Sequence, residues 1–171
     1  RMLFRHLDFN VEVGERIALA GPNGSGKSTL LKLLLGEMPP AEGELRRLGG
    51  LVVSTLPQET GFLQGGLKEY ALREDIDLSL FLTLLRKLDF EREAFDQAME
   101  SYSAGQKKKV CLAASLARPA HLFVWDEPLN YIDVYSREQI EAAVLHSRPT
   151  LVLVEHDAAF LDAVATRRVS L

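Results

Sequence analysis

The sequence predicts an α/β domain with a mostly parallel sheet, flanking helices, a small antiparallel β part and an inserted helical subdomain. Three observations carry this. Short apolar strand-like runs alternate with helical runs along most of the chain. One glycine-rich segment, "GPNGSGKS", joins such a strand directly to such a helix. From about Gly66 to Met99 the strand signals stop, and apolar residues recur at helical spacing instead.

A chain of 171 residues suits one domain with a substantial core. The hydrophobic fraction of 47% and charged fraction of 26% are ordinary for a globular protein. A net charge of -4 argues against domain-wide attraction to nucleic acid, though not against a local basic patch. The single cysteine, Cys111, excludes an internal disulfide and fits a reducing compartment. Its neighbours Val110 and Leu112 point to a buried thiol. No apolar run approaches the roughly 18 residues of a membrane helix, and "RMLFRHLDFN" has no signal-peptide core. The expectation is a cytoplasmic domain without direct membrane insertion. The chain opens on Arg1 and enters a strand-like pattern within a few residues, so a fragment of a longer protein is expected.

The elements follow in order. Leu7, Phe9, Val11 and Val13 alternate as in a half-exposed strand, and Gly14-Glu15 turns into "RIALA", continuous enough for a buried parallel strand. Lys27 to Leu35 reads as a helix capped by Gly36, with Pro39-Pro40 beyond. "GELRRLGGLVVSTLPQE" predicts two short strands around Gly49-Gly50. "LSLFLTLLRKL" and "EREAFDQAME" predict helices, and a further helix opens at Gln106. "HLFVW" and "TLVLV" predict buried strands flanking a helix over "SREQIEAAVLHS", with Ser136 as its cap. "AAFLDAVATRRVSL" ends the chain as helix, then strand.

Chemistry concentrates where apolar strands end. Gly21–Ser28 fits G-x-x-x-x-G-K-[ST] in full, between a predicted strand and a predicted helix, the context that makes the motif specific. Its glycines let backbone N–H groups converge on phosphate oxygens, aided by the positive helix end. Lys27 reaches the β and γ phosphates of a nucleotide, and the Ser28 hydroxyl is a Mg²⁺ ligand. Asp126 ends the strand "HLFVW", where it can hold Mg²⁺ through water; Glu127 can orient or deprotonate the attacking water. His156 follows "TLVLV" at the same sheet edge, where its imidazole can bond a γ-phosphate or the catalytic carboxylate. His6, His121 and His146 lack such a setting.

In this order the pieces resemble the nucleotide-binding domain of ATP-binding cassette (ABC) proteins, over essentially the whole chain. Gly21, Pro22, Asn23, Gly24, Ser25, Gly26, Lys27 and Ser28, with Thr29 after them, resemble the Walker A loop. Gln58 in "STLPQE" resembles the Q-loop glutamine, a further Mg²⁺ ligand beside Ser28 and Asp126. Tyr102, Ser103, Ala104, Gly105 and Gln106 resemble the LSGGQ signature, with Ala104 for its first glycine and Tyr102 for its leucine. "LFVWDEP" resembles Walker B, "LNYID" with Asp133 the D-loop, and His156 the switch histidine. "SAGQKKKV", "DEPLNYID" and "VEHDAAFL" are most similar to the second cassette of ABC-F proteins that protect ribosomes from antibiotics. The resemblance implies one domain over 1–171, with a core of about 1–60 and 107–171 and a helical subdomain of about 61–106. It implies ATP and Mg²⁺, and a second cassette, in the same polypeptide or a dimer, whose bound ATP the signature caps. It also implies a ribosome or ribosomal RNA partner for the full-length protein. The adenine-stacking aromatic of the family falls before Arg1.

Lys107, Lys108 and Lys109 point in different directions on a helix, so they form no single stripe. Solvated lysines near an interface and a local contact to ribosomal RNA phosphate are both open. Competing functions are the ATPase domain of a membrane transporter and a module that binds ATP without turnover. Intact Lys27, Asp126, Glu127 and His156 weigh against the last.

Overall fold

The computed structural model describes residues 7–171; His6 lies outside them. Among these residues five strands form one sheet: β1 (Arg16–Ala20), β2 (Val53–Leu56), β3 (Leu122–Asp126), β4 (Leu151–Val154) and β5 (Arg167–Ser170). Their order is β2-β3-β4-β1-β5, and every pairing is parallel. Helices cross between them: α1 (Lys27–Leu35), α2 (Leu67–Arg73), α3 (Leu78–Lys87), α4 (Ala104–Ala117), α5 (Val134–Ser147) and α6 (Ala158–Val164). This is the mostly parallel α/β sheet with flanking helices that the pattern predicts.

Strand alternation sorts the core into two layers. Ile17, Leu19, Leu122, Val124, Val152 and Val154 face one side, where they cluster with Leu30 and Leu31 of α1. Ala18, Phe123, Trp125, Leu151 and Leu153 face the other, clustering with α4, with Phe160 of α6, and with Phe81 and Leu85 of α3. Burial on both faces explains why these strands read as continuous apolar runs.

Several local expectations need correction. The segment with Leu7, Phe9, Val11 and Val13 joins no strand ladder among the described residues; Val13 is 99% exposed at a turn closed by Glu15 N–H to Glu12 O (3.0 Å). Around Gly49-Gly50, among the described residues, only β2 forms; Gly43–Leu48 joins no strand ladder and no antiparallel pair occurs. "EREAFDQAME" makes two short 3₁₀ turns, Arg92–Asp96 and Met99–Ser101, in place of an α-helix. There Phe90 packs edge-on against both Phe95 and Tyr102, and the Tyr102 hydroxyl donates to Ala94 O (2.6 Å). α4 starts at Ala104, two residues before Gln106, because Ser103 caps it. It therefore carries the chain unbroken across the expected 106/107 division. Ser136 is not the cap of α5: Asp133 is, and Ser136 is buried in the first turn with its hydroxyl donating to Leu88 O (3.0 Å).

Candidate functional site

The C-terminal ends of four neighbouring strands deliver the site. In sheet order, Gln58 follows β2, Asp126 ends β3 and Glu127 follows it, Glu155 and His156 follow β4, and the Gly21–Ser28 loop follows β1. Parallel strands put all four ends at one edge, where ligands bind in such sheets.

The glycine loop is shaped by its backbone. Gly24 and Gly26 take φ of 81° and 106°, a region that admits glycine without strain. Gly21 is closely packed: a Cβ there would stand 2.7 Å from Ser25 Oγ. Gly26 caps α1 with no side-chain acceptor, and the first turn has no acidic residue. The first N–H groups of α1 are thus left for an anion. Ser25 Oγ is buried without a partner, and Lys27, 9% exposed, folds its ammonium back onto Gly21 O (2.7 Å) and Pro22 O (3.0 Å). Uncapped amides, an orphan hydroxyl and a folded-in cation together fit a polyphosphate. Pro22, Asn23 and Ser28 are exposed; Thr29 is half-buried.

Asp126 accepts from Gln58 Nε2 (2.7 Å). Burial, then the neighbouring Glu127, push its carboxyl pKa up; Lys108, the Ser28 hydroxyl and Lys27 pull it back. Among the described residues no group of three or more His, Cys, Asp or Glu could hold a metal. Ser28, Asp126 and Gln58 suit Mg²⁺ nonetheless, since that ion takes one or two carboxylates and completes its shell with water and substrate phosphate.

Glu127 has φ 49°, unusual for a non-glycine residue. Its amide donates to Val154 O (2.9 Å), its Oε2 accepts from Asn130 Nδ2 (2.6 Å), and its Oε1 lies 3.5 Å from His156 Nε2. The His156 side chain is 57% exposed, so its far face is open to a ligand.

The signature-like residues stand apart from the glycine loop. Ser103 and Gln106 form a capping box: Ser103 Oγ accepts from Gln106 N (3.2 Å), and Gln106 Oε1 accepts from Ser103 N (2.8 Å). Gln106 Nε2 donates to Glu91 (2.9 Å). Ala104 is exposed, and Gly105 passes so close to Tyr131 O that a Cβ would lie 2.9 Å away. Among the described residues, no hydrogen bond links 103–106 to 21–28. Asp133 caps α5 and faces α4: its carboxylate accepts from Ser136 N (2.8 Å) and Oγ (2.7 Å) and lies 3.2 Å from Lys109 Nζ. These contacts, led by the Ser136 amide, lower its pKa to about 2.

Solvated lysines are only part of the picture at 107–109. Lys108 is 4% exposed, and Lys109 is held by Asp133. Burial lowers the Lys108 pKa, while Cys111, Glu155, Asp126 and Glu127 raise it. The Cys111 thiol is buried and pushed up to about 11. Glu155, Lys108 and Asn130 are the site residues that sequence reasoning missed. Lys108, a lysine on the flank of an apolar helical run, and Glu155, an acidic residue directly after an apolar run, carried local signals, but neither signal named a role.

A glycine loop ending a central parallel strand, beside an acidic strand end, defines a P-loop nucleotide-binding domain. Residues 4–130 match the ABC transporter family model, and the chain belongs to that family. It is 32% identical over 174 residues to ABC transporter F family member 2 of Arabidopsis thaliana, covering 98% of this chain and 26% of that protein. It is 31% identical to the ribosome protection protein VmlR of Bacillus subtilis (strain 168), covering 99% of this chain and 31% of that one. Among solved structures, the RNase-L inhibitor superposes with a TM-score of 0.81 at 32% identity, over 94% of this chain and 32% of that chain. The chain thus spans 26% to 31% of the length of these curated relatives.

Proposed function

We propose that this chain is one ATP-binding and ATP-hydrolysing cassette of a longer, cytoplasmic two-cassette protein that acts on the ribosome as a translation or antibiotic-resistance factor. One observation carries the ATPase reading: a phosphate-shaped loop with Lys27, the Asp126–Glu127 pair and His156 share one sheet edge, with Glu127 3.5 Å from His156. Similarity to VmlR over 99% of this chain supports the ribosome.

In this reading residues 21–29 cradle the triphosphate, and Lys27 neutralises its β and γ charges. Ser28, Asp126 and Gln58 would hold Mg²⁺, which would supply positive charge to offset the charge that develops on the phosphate oxygens. Glu127 accepts a proton as water attacks Pγ; the new O–Pγ bond replaces the bond to the β-phosphate oxygen, leaving ADP and phosphate. His156 bonds the γ-phosphate and keeps Glu127 aimed. Ser103, Ala104, Gly105 and Gln106 present the α4 N-terminus to ATP held by a second cassette, and Asp133 fixes the loop beside them. Residues 61–106 form the helical subdomain, set on a core of 1–60 and 107–171.

Two variants of the full-length protein test this. Lys27→Ala should lose ATP hydrolysis, and unchanged turnover overturns the site. Glu127→Gln should bind ATP without hydrolysing it and accumulate on ribosomes in its presence. A trapped protein that stays off ribosomes, and instead copurifies with a membrane complex, supports a transporter ATPase.

A further inference from the structure

Three carboxylates crowd the ends of β3 and β4: Asp126, Glu127 and Glu155. The first two have work in the ATPase reading, on which the following rests. Glu155 has none, yet it makes more backbone contacts than either.

Its Oε2 accepts from Leu129 N, in the loop after β3, at 3.1 Å. Its Oε1 accepts from the amides of His156 (2.7 Å) and Asp157 (3.3 Å), in the loop after β4. A single carboxylate thereby ties together the loop that carries Glu127 and the loop that carries His156. Around this tie, each loop is anchored separately. Asn130 bonds Glu127 within the first loop. In the second, Asp157 caps α6 through Phe160 N (2.9 Å) and pairs with Arg137 of α5 (2.7 Å). Apart from the Glu127–His156 contact itself, the Glu155 carboxylate is the side-chain bond that joins them among the described residues. Buried Lys108 of α4 supplies positive charge to the same group of carboxylates. An alanine at 155 would leave Leu129 N–H without its acceptor and Lys108 with less compensation.

We propose that Glu155 is a positioning residue for hydrolysis: its carboxylate locks the loop after β3 to the loop after β4 and so sets the distance between His156 and Glu127. It touches no reacting atom. Its effect passes through His156, and that makes it separable from a purely structural role.

The test is a double-mutant cycle in the full-length protein, with ATP hydrolysis measured above the Lys27→Ala baseline. Glu155→Ala should lower kcat by about 10- to 100-fold, the range that follows when a reacting group drifts by about an ångström. KM for ATP should stay within about twofold of wild type, because no group that binds substrate has gone. In a His156→Ala background, Glu155→Ala should cost nothing further, since the residue it positions is absent. Glu155→Gln keeps the size of the side chain and one acceptor oxygen, so it should fall between wild type and Glu155→Ala; it replaces Ala in the cycle should the latter not fold. Losses that multiply in the double mutant, or a raised KM with kcat retained, overturn the proposal. A wild type that hydrolyses while Glu155→Ala keeps its kcat overturns this inference alone. A wild type that does not hydrolyse overturns the ATPase reading, and this one with it.

Discussion

Asp133 shows what a single side chain can hold. It lies in a stretch that resembles the D-loop, and its carboxylate caps α5 while lying 3.2 Å from Lys109 of α4. Losing the cap in Asp133→Ala should cost about 1–2 kcal/mol, measured as a shift in urea midpoint. Asn at this position keeps the capping oxygen and drops the charge, so Asp133→Asn isolates the electrostatic part. The folded pKa of about 2 lies below the usual carboxylate value. The charge therefore stabilises the fold fully above pH ~4 and loses its effect as pH falls toward 2. The gap between wild type and Asp133→Asn should close over that range, and should shrink in salt because the side chain is 54% exposed. Site residues inside local motifs were legible for a simple reason: a glycine loop, or an acidic residue ending an apolar run, is a sequence-local pattern. Glu155 ends an apolar run and Lys108 flanks one, but their roles were not legible, because what matters about them is which loop or helix tertiary packing lays beside them.

At the scale of elements, legibility follows pairing. β1, β3 and β4 are buried on both faces and announce themselves as continuous apolar runs, and α1 is bracketed by Gly26 and Gly36. The segment from Leu7 to Val13 has the alternation of a strand but joins no strand ladder among the described residues, and alternation alone does not make one. The start of α4 was misplaced because its capping box joins Ser103 to Gln106 across two small residues that look like loop. Those small residues are required. Gly105 lies where any Cβ would meet Tyr131 O at 2.9 Å, a backbone atom that cannot swing aside. Gly105→Ala must push α4 and the Tyr131 loop apart, at a cost of about 1–3 kcal/mol. A thermal midpoint equal to wild type would show that the two segments are not in register as described.

The whole molecule raises the question of whether the helical insertion is a separate folding unit. Its residues read as a distinct region in sequence, with strand signals absent from about Gly66 to Met99. Packing says otherwise. Phe81 and Leu85 of α3 are fully buried, and they belong to the same apolar cluster as Trp125 of β3, Phe160 of α6 and Val144 of α5. α4 is the bridge. One of its faces meets α3, and its Ser115 meets the sheet, where the hydroxyl accepts from Trp125 Nε1 (3.0 Å) and lies 2.9 Å from Ser54 Oγ of β2. A core shared this way unfolds as one cooperative unit. Trp125 is the only tryptophan in the chain and sits in the sheet, so its fluorescence reports on the core and not on the insertion. Phe81→Ala removes a large buried ring from the insertion and should destabilise by about 3–5 kcal/mol. If the cluster is continuous, the Trp125 transition shifts by that full amount and coincides with loss of helical circular dichroism. If the insertion folds alone, circular dichroism shows an early step while the Trp125 midpoint stays at the wild-type value.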